Sequence, residues 1–330
     1  MHCRLLSPGG VRTLSDSNRT ISQQLSFNIK ECKNSEDFLQ LLLQHGGNFN
    51  HINIVAAWIK FRSMPRGADG GARIDQILLL QALTESHVPE MDGRAVANIL
   101  HGIAKTKAEV IAAGANSFRQ HHSELQHFQS IVWRKLIQKL TAQATSVSES
   151  SGPVGVAITL WALATIGVRP EAGLLRAMQG RATAVAGEFK PQDLANLVWA
   201  LATMGVTPDE KLLLVLQEQM TAFASEFKTW EIMNTVWALA TMGVTPDADM
   251  CRAMQGRATA LAGEFNSQAV ATLLWALATM GVTPEAGLLR AMQGRATAVA
   301  GEFNPQDVAT TLWALATMGV TPEAGLLRAM

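Results

Sequence analysis

Apolar residues recur along this chain at helical spacing, and they do so inside a unit that repeats. Residues 283–320 give one copy. Thr283 reads as an N-cap and Pro284 as the first helical position. Leu288, Leu289, Met292, Ala296 and Val299 then form an apolar stripe, and Gly301 is placed to end this first helix in a left-handed turn. Asn304 caps a second helix, with Pro305 at its first position and Phe303 placed to staple against Val308. Val308, Leu312 and Leu315 form its buried line. Gly319 closes it, and Thr321-Pro322 opens the next unit.

The string Trp-Ala-Leu-Ala-Thr begins at Trp161, Trp199, Trp237, Trp275 and Trp313, always 38 residues apart. The blocks starting at 161 and 275 agree at 31 of 38 positions. A unit this short cannot bury a core alone, so neighbouring copies must supply its second wall. The expected fold is all-α, an α-solenoid of stacked antiparallel helix pairs with a 38-residue repeat.

The first half reads as a decayed version of the same plan. Ala97 to Ala104 aligns with Ala195 to Ala202, and Phe49-Asn50 followed by Ala56-Ala57-Trp58 resembles an older copy. Residues 35–45, 72–87 and 124–144 are further helix candidates, the last with Leu125, Phe128, Val132, Leu136 and Leu140 on one face. The expected division is a transit or disordered segment at 1–30, degenerate repeats at 31–144, a Ser- and Gly-rich linker at 145–152 and the repeat array at 153–330. The last unit stops halfway, at Met330.

Composition narrows the classes of function. Lys plus Arg and Asp plus Glu both number 27, so no global field favours nucleic acid or membrane. Residues 1–150 hold 16 basic and 12 acidic groups, leaving 11 and 15 for the remainder, a slightly acidic array. No apolar run reaches the ~18 residues of a spanning helix, so no membrane insertion is expected. Cys3, Cys32 and Cys251 have no paired spacing, which argues against a disulfide scaffold or a Cys-based zinc site. No GxSxG elbow, phosphate loop or GxGxxG turn is present, so no catalytic residue is assigned and the chain is not expected to be an enzyme. His121, His122 and His127 lack a helix-face metal spacing and read as a solvated loop; no metal and no cofactor are expected. Residues 1–30 carry Arg4, Arg12, Arg19 and Lys30 against Asp16, with five serines, a composition that suits an organelle transit peptide.

The period and the string Pro191-Gln192-Asp193-Leu194-Ala195-Asn196-Leu197-Val198-Trp199-Ala200-Leu201-Ala202-Thr203-Met204-Gly205 resemble octotricopeptide repeat proteins. The resemblance covers 153–330 well and about 49–106 more weakly. Residues 229–234 and Ser267-Gln268-Ala269 depart from the motif. The resemblance implies sequence-selective binding of single-stranded RNA in a mitochondrial matrix or chloroplast stroma, serving RNA processing, mRNA stability or translation. It also implies protein partners in an organellar ribonucleoprotein complex. Related organellar proteins, FAST-kinase-like among them, add a C-terminal RAP domain, and none is visible before Met330.

The residues themselves offer three surfaces. Trp161, Trp199, Trp237, Trp275 and Trp313 are expected at the edge of the apolar arc, Trp199 beside Leu194, Val198 and Ala202, where each packs on the next unit. Gln192, Asn196 and Thr203 fall opposite Leu194, with Asp193 and Ala200 adjoining. The position of Asn196 reads Asn98, Ile158, Asn196, Asn234, Thr272 and Thr310 in successive copies. Such short neutral groups can meet base edges, as helical RNA-binding repeats do, or can form an ordinary solvated face. Gln306 repeats Gln192, and Trp230 replaces it, either as an isolated exposed aromatic or as a base-stacking platform. Arg176, Arg252, Arg290 and Arg328 form a ladder that could follow phosphates or simply aid solubility. A second ladder, Arg181, Arg257 and Arg295, falls nearer the apolar stripe. Two functions stay open: an RNA-binding solenoid, and a tetratricopeptide-like scaffold that grips a peptide.

Overall fold

The computed structural model describes residues 14–64, 70–117 and 122–329. Among them are sixteen α-helices and no strand, so the all-α solenoid of paired helices is the observed fold. Two compact units divide the chain: Met1–Met91 with Lys105–Gln143, and Asp92–Ala104 with Ala144–Met330.

The first unit contains α1 (Leu14–Glu31), α2 (Ser35–His45), α3 (His51–Ser63) and α4 (Gly70–His87). It also takes the later part of α5 (Gly93–Ser117) and most of α6 (His122–Ser146). The helices expected near 35–45, 72–87 and 124–144 are all present. Helix α1 packs on α3 and α2 packs on α4. Buried Asn53 joins the first pair, its Nδ2 donating to Ser22 O and Ser26 Oγ, both at 2.9 Å. Residues 14–30, read as part of a leader segment, thus belong to a packed helix with Leu25 and Ile29 in the core. Trp58 is fully buried, and its Nε1 donates to Thr84 Oγ1 at 2.9 Å. It is not the counterpart of the repeat tryptophans. Counting from the extended Phe49, the equivalent position is Ile59, which is 41% exposed.

The second unit carries the regular array. Second helices α7 (Pro153–Ile166), α9 (Pro191–Thr203), α11 (Thr229–Thr241), α13 (Ser267–Thr279) and α15 (Pro305–Thr317) form one row. First helices α8 (Ala172–Ala184), α10 (Glu210–Ala222), α12 (Ala248–Ala260), α14 (Ala286–Ala298) and α16 (Ala324–Ala329) form the other. Small buried residues such as Ala195, Ala200 and Ala202 let the second helices approach closely, nearer than the first helices approach each other.

The termini explain the 38-residue rhythm. Gly205, Gly243, Gly281 and Gly319 adopt φ of 65–68°, and Val206 N donates back to Leu201 O at 2.9 Å, the glycine stop expected for the second helix. Asn304 caps α15 through Asp307 N, also as expected. Two readings of the caps need correction. First helices end in a one-turn 3₁₀ segment, Ala300–Glu302 in the last full copy, so Gly301 is not left-handed. The cap of α14 is Glu285 rather than Thr283, because Gln255 Oε1 on the preceding first helix accepts Glu285 N at 2.8 Å and fixes the chain there. Gln217 and Gln293 hold Asp247 N and Glu323 N in the same way, at 2.7 Å each.

Residues 145–152, read as a linker, continue α6 to Ser146 and then form the same connector that joins first to second helix in each later repeat. Ser148–Ser150 is its 3₁₀ turn, and buried Ser151 stands where later copies place Phe189, Phe227 and Phe265. Glycine at 93 leaves room for it, since a Cβ there would meet Ser151 Oγ.

Candidate functional site

The inner second helices, α9, α11 and α13, bury most of their circumference. In α9 only Gln192, Asn196, Trp199 and Thr203 escape burial, at spacings i, i+4, i+7 and i+11, which trace one line along a helix. The same line reads Val154, Ile158, Trp161 and Thr165 on α7, and Trp230, Asn234, Trp237 and Thr241 on α11. It continues as Gln268, Thr272, Trp275 and Thr279 on α13, and as Gln306, Thr310, Trp313 and Thr317 on α15. Arg94, Asn98 and His101 begin it on α5. No charged residue occupies it from α7 to α15. The surface is therefore one of amides, hydroxyls and indoles, side by side on parallel helices.

The base-reading candidates Asn98, Asn196, Asn234, Thr272 and Thr310 are half-buried, and Gln192, Gln306 and Trp230 are exposed, so all eight share this line. Asp193, placed beside it by sequence, is instead buried. Its carboxylate accepts Lys190 N at 3.2 Å and closes the helix N-terminus. Burial pushes its pKa up, against the smaller opposing effects of that hydrogen bond and of the Lys190 charge. Ala200 is fully buried in the row contact.

The tryptophans stand on the same line, three residues after Asn196 and four before Thr203 in the case of Trp199, on the side next to buried Ala195 and Ala202. Trp161, Trp199, Trp237 and Trp275 are half-buried and Trp313 is 49% exposed. The rings of Trp161 and Trp199 lie 6.4 Å apart, tilted by 36°, and His101 meets Trp161 edge-on at 5.3 Å. Their own spacing held the signal, because i+3 and i+4 neighbours share a helix face.

Neither arginine ladder joins this surface. Arg181, Arg257 and Arg295 send Nε to the carbonyls of Ser151, Phe227 and Phe265, at 2.6, 2.8 and 2.6 Å, and bind each first helix to the preceding connector. Arg176, Arg252, Arg290 and Arg328 are exposed on the outer side of the first-helix row. Leu174, Leu175 and Met178 turn the other side of α8 into the core. The phosphate candidates and the base-reading candidates thus face away from each other. Arg252 pairs with Asp249 at 3.0 Å on its own helix.

Among the described residues no group of three or more His, Cys, Asp or Glu side chains could hold a metal, and no helix is long and apolar enough to cross a membrane. His121 lies outside the described residues, whereas His122 and His127 fall within the first turns of α6 rather than in a loop.

The fold and the repeated line define a helical-repeat protein with a continuous uncharged surface along one row. Residues 97–246, less than half of the chain, match the family described as RNA-editing substrate-binding complex 6 protein. That stretch runs from α5 to the end of α11 and includes Asn98, Asn196, Trp230 and Asn234. No curated protein matches the chain.

Proposed function

We propose that this chain is a non-catalytic RNA-binding solenoid that receives single-stranded RNA along the line on its second helices. The observation that carries the reading is the half-buried column Asn98, Ile158, Asn196, Asn234, Thr272 and Thr310, uncharged throughout and hydrogen-bonding in every copy but one, on a line that carries no charge from α7 to α15. Asn and Thr can present different donors and acceptors to base edges at about one base per repeat. The family that matches residues 97–246 is named for binding an RNA-editing substrate, which supports RNA as the ligand and a ribonucleoprotein complex as the setting. With the octotricopeptide resemblance, that name also supports a role in organellar RNA processing, stability or translation. Base selection in this reading does not involve Arg176, Arg252, Arg290 and Arg328, which face the other way.

Filter binding of a random RNA pool tests it. The full chain should enrich a motif, and Asn196→Ala with Asn234→Ala should weaken that motif by about 1–3 kcal/mol per lost base contact while sparing random RNA. Arg252→Ala with Arg290→Ala should change neither. A chain that enriches no sequence and is insensitive to both pairs would overturn the reading. The absence of charge from the line then favours the second reading, a scaffold that holds a peptide against the same indoles and amides.

A further inference from the structure

The two units carry opposite charge. Met1–Met91 with Lys105–Gln143 hold 15 basic and 10 acidic residues, which leaves 12 and 17 for the unit that contains the array. The uncharged line thus belongs to the acidic unit, and the cations that attract an RNA backbone are concentrated in the other. In that first unit the line loses its amides. Counted from Phe49, its positions on α3 are Ile52, Ala56, Ile59 and Ser63.

A groove of about 520 Å³ lies instead between Ser22, Ser26, Phe27 and Lys30 of α1 and Asn50 and Ile52 at the start of α3. Its size is usual for a small-ligand site, and no carboxylate lines it. Its polar side is rich in donors. Ser22 Oγ accepts Asn50 Nδ2 and Ser26 Oγ accepts Asn53 Nδ2, both at 2.9 Å, so each hydroxyl keeps its own hydrogen for another acceptor. Lys30 is exposed and makes no ion pair among the described residues. Lys60 adds a second ammonium close by, its Nζ donating to Lys30 O at 2.8 Å. The other side is apolar: Phe27, one turn before Lys30, is 58% exposed, and Ile52 is 55% exposed.

We infer that this groove holds one nucleotide of the bound strand, its base against Phe27 and its phosphate against Lys30 and the two serine hydroxyls. The inference rests on the RNA reading above and separates holding from choosing. Stacking on a ring tolerates any base, and a phosphate contact carries no sequence, so the basic unit grips the strand whatever its sequence. The column on the second helices chooses among bases.

The full chain and a random-sequence RNA pool about thirty nucleotides long test it, with affinity measured over a range of salt. Phe27→Ala and Lys30→Gln alter exposed side chains and should leave the thermal midpoint as in the parent. Lys30→Gln should flatten the slope of log K against log salt by about 0.7, as for one lost single-strand phosphate contact. Phe27→Ala should weaken binding about tenfold without changing the slope, as for one lost stacked base. Neither should change the motif that the pool enriches. Arg252→Gln removes an equal charge from the outer side of the array and should leave the slope alone. Phe27 and Lys30 variants that bind as the parent does, while Asn196→Ala with Asn234→Ala still weakens the motif, would overturn the groove and leave the RNA reading intact. Polyglutamate that competes as well as RNA would overturn it in favour of an acidic protein partner, and adenosine monophosphate that competes equally would do so in favour of a free nucleotide. A parent that binds no RNA would remove both readings.

Discussion

Arg257 Nε donates to Phe227 O at 2.8 Å, across thirty residues and from one repeat to the connector of the one before. The acceptor follows the last residue of a 3₁₀ turn and the Phe227 side chain is fully buried, so no other group readily replaces the donor. Two ladders of the same residue type therefore have different work. One joins repeats from within, and the other lies on the outer surface.

Arg257→Gln should accordingly lower the denaturation midpoint by the equivalent of about 1–2 kcal/mol, as expected for a half-buried hydrogen bond from a charged donor. Arg252→Gln removes only an exposed pair with Asp249 and should change stability by less than about 0.5 kcal/mol. Urea titration of the two variants side by side compares them. Equal effects would mean that the link between repeats contributes nothing.

Tryptophan truncations should separate by unit. Trp58→Ala opens a cavity in a fully buried site and removes the donor to Thr84 Oγ1, at a cost of about 3–5 kcal/mol. Trp237→Ala removes a half-buried ring and should cost only about 1–2 kcal/mol. Hydrogen exchange in each variant measures the difference, and a larger loss for Trp237 would show that the column is primarily structural.

Cys251 stands where other copies have Leu175, Leu213 and Leu289. The shorter side chain borders a cavity of about 20 Å³ lined by Ile232, Val236, Met254 and Leu277 among others. Cys251→Leu should fill it and stabilise the chain by about 0.5–1.5 kcal/mol. A fall in thermal midpoint would indicate that the surrounding methionines have already closed the space.

Asp193 predicts a pH effect with a definite sign. Its folded-state pKa lies above the ordinary value because burial disfavours the carboxylate. The stability it contributes is present below the ordinary Asp range, near pH 4, and is lost as pH rises through the raised value. Asp193→Asn keeps an acceptor for Lys190 N but cannot ionise. The stability of the parent relative to this variant should therefore fall between about pH 4 and neutrality. A relative stability that rises over that range would reverse the assignment.

Local covalent and conformational rules made much of this protein legible without coordinates. Repetition of Trp-Ala-Leu-Ala-Thr set the 38-residue period, glycine after each second helix set its stop, and apolar spacing set the helices. Each depends on a residue's immediate neighbours, so one chain segment carries the whole signal. The varying column of Asn and Thr was visible for the same reason.

Tertiary structure decided what depends on the adjacent repeat. Whether an arginine binds a carbonyl thirty residues away, as Arg257 does, or faces water, as Arg252 does, depends on which side of the first helix the next connector occupies. Gln255 shifts the start of α14 because its partner amide belongs to the following copy. The indoles joined the exposed line, though apolar, because alanines let neighbouring second helices close over every other face. The sequence named the residues of the surface; the stacking of repeats determined which of them share it.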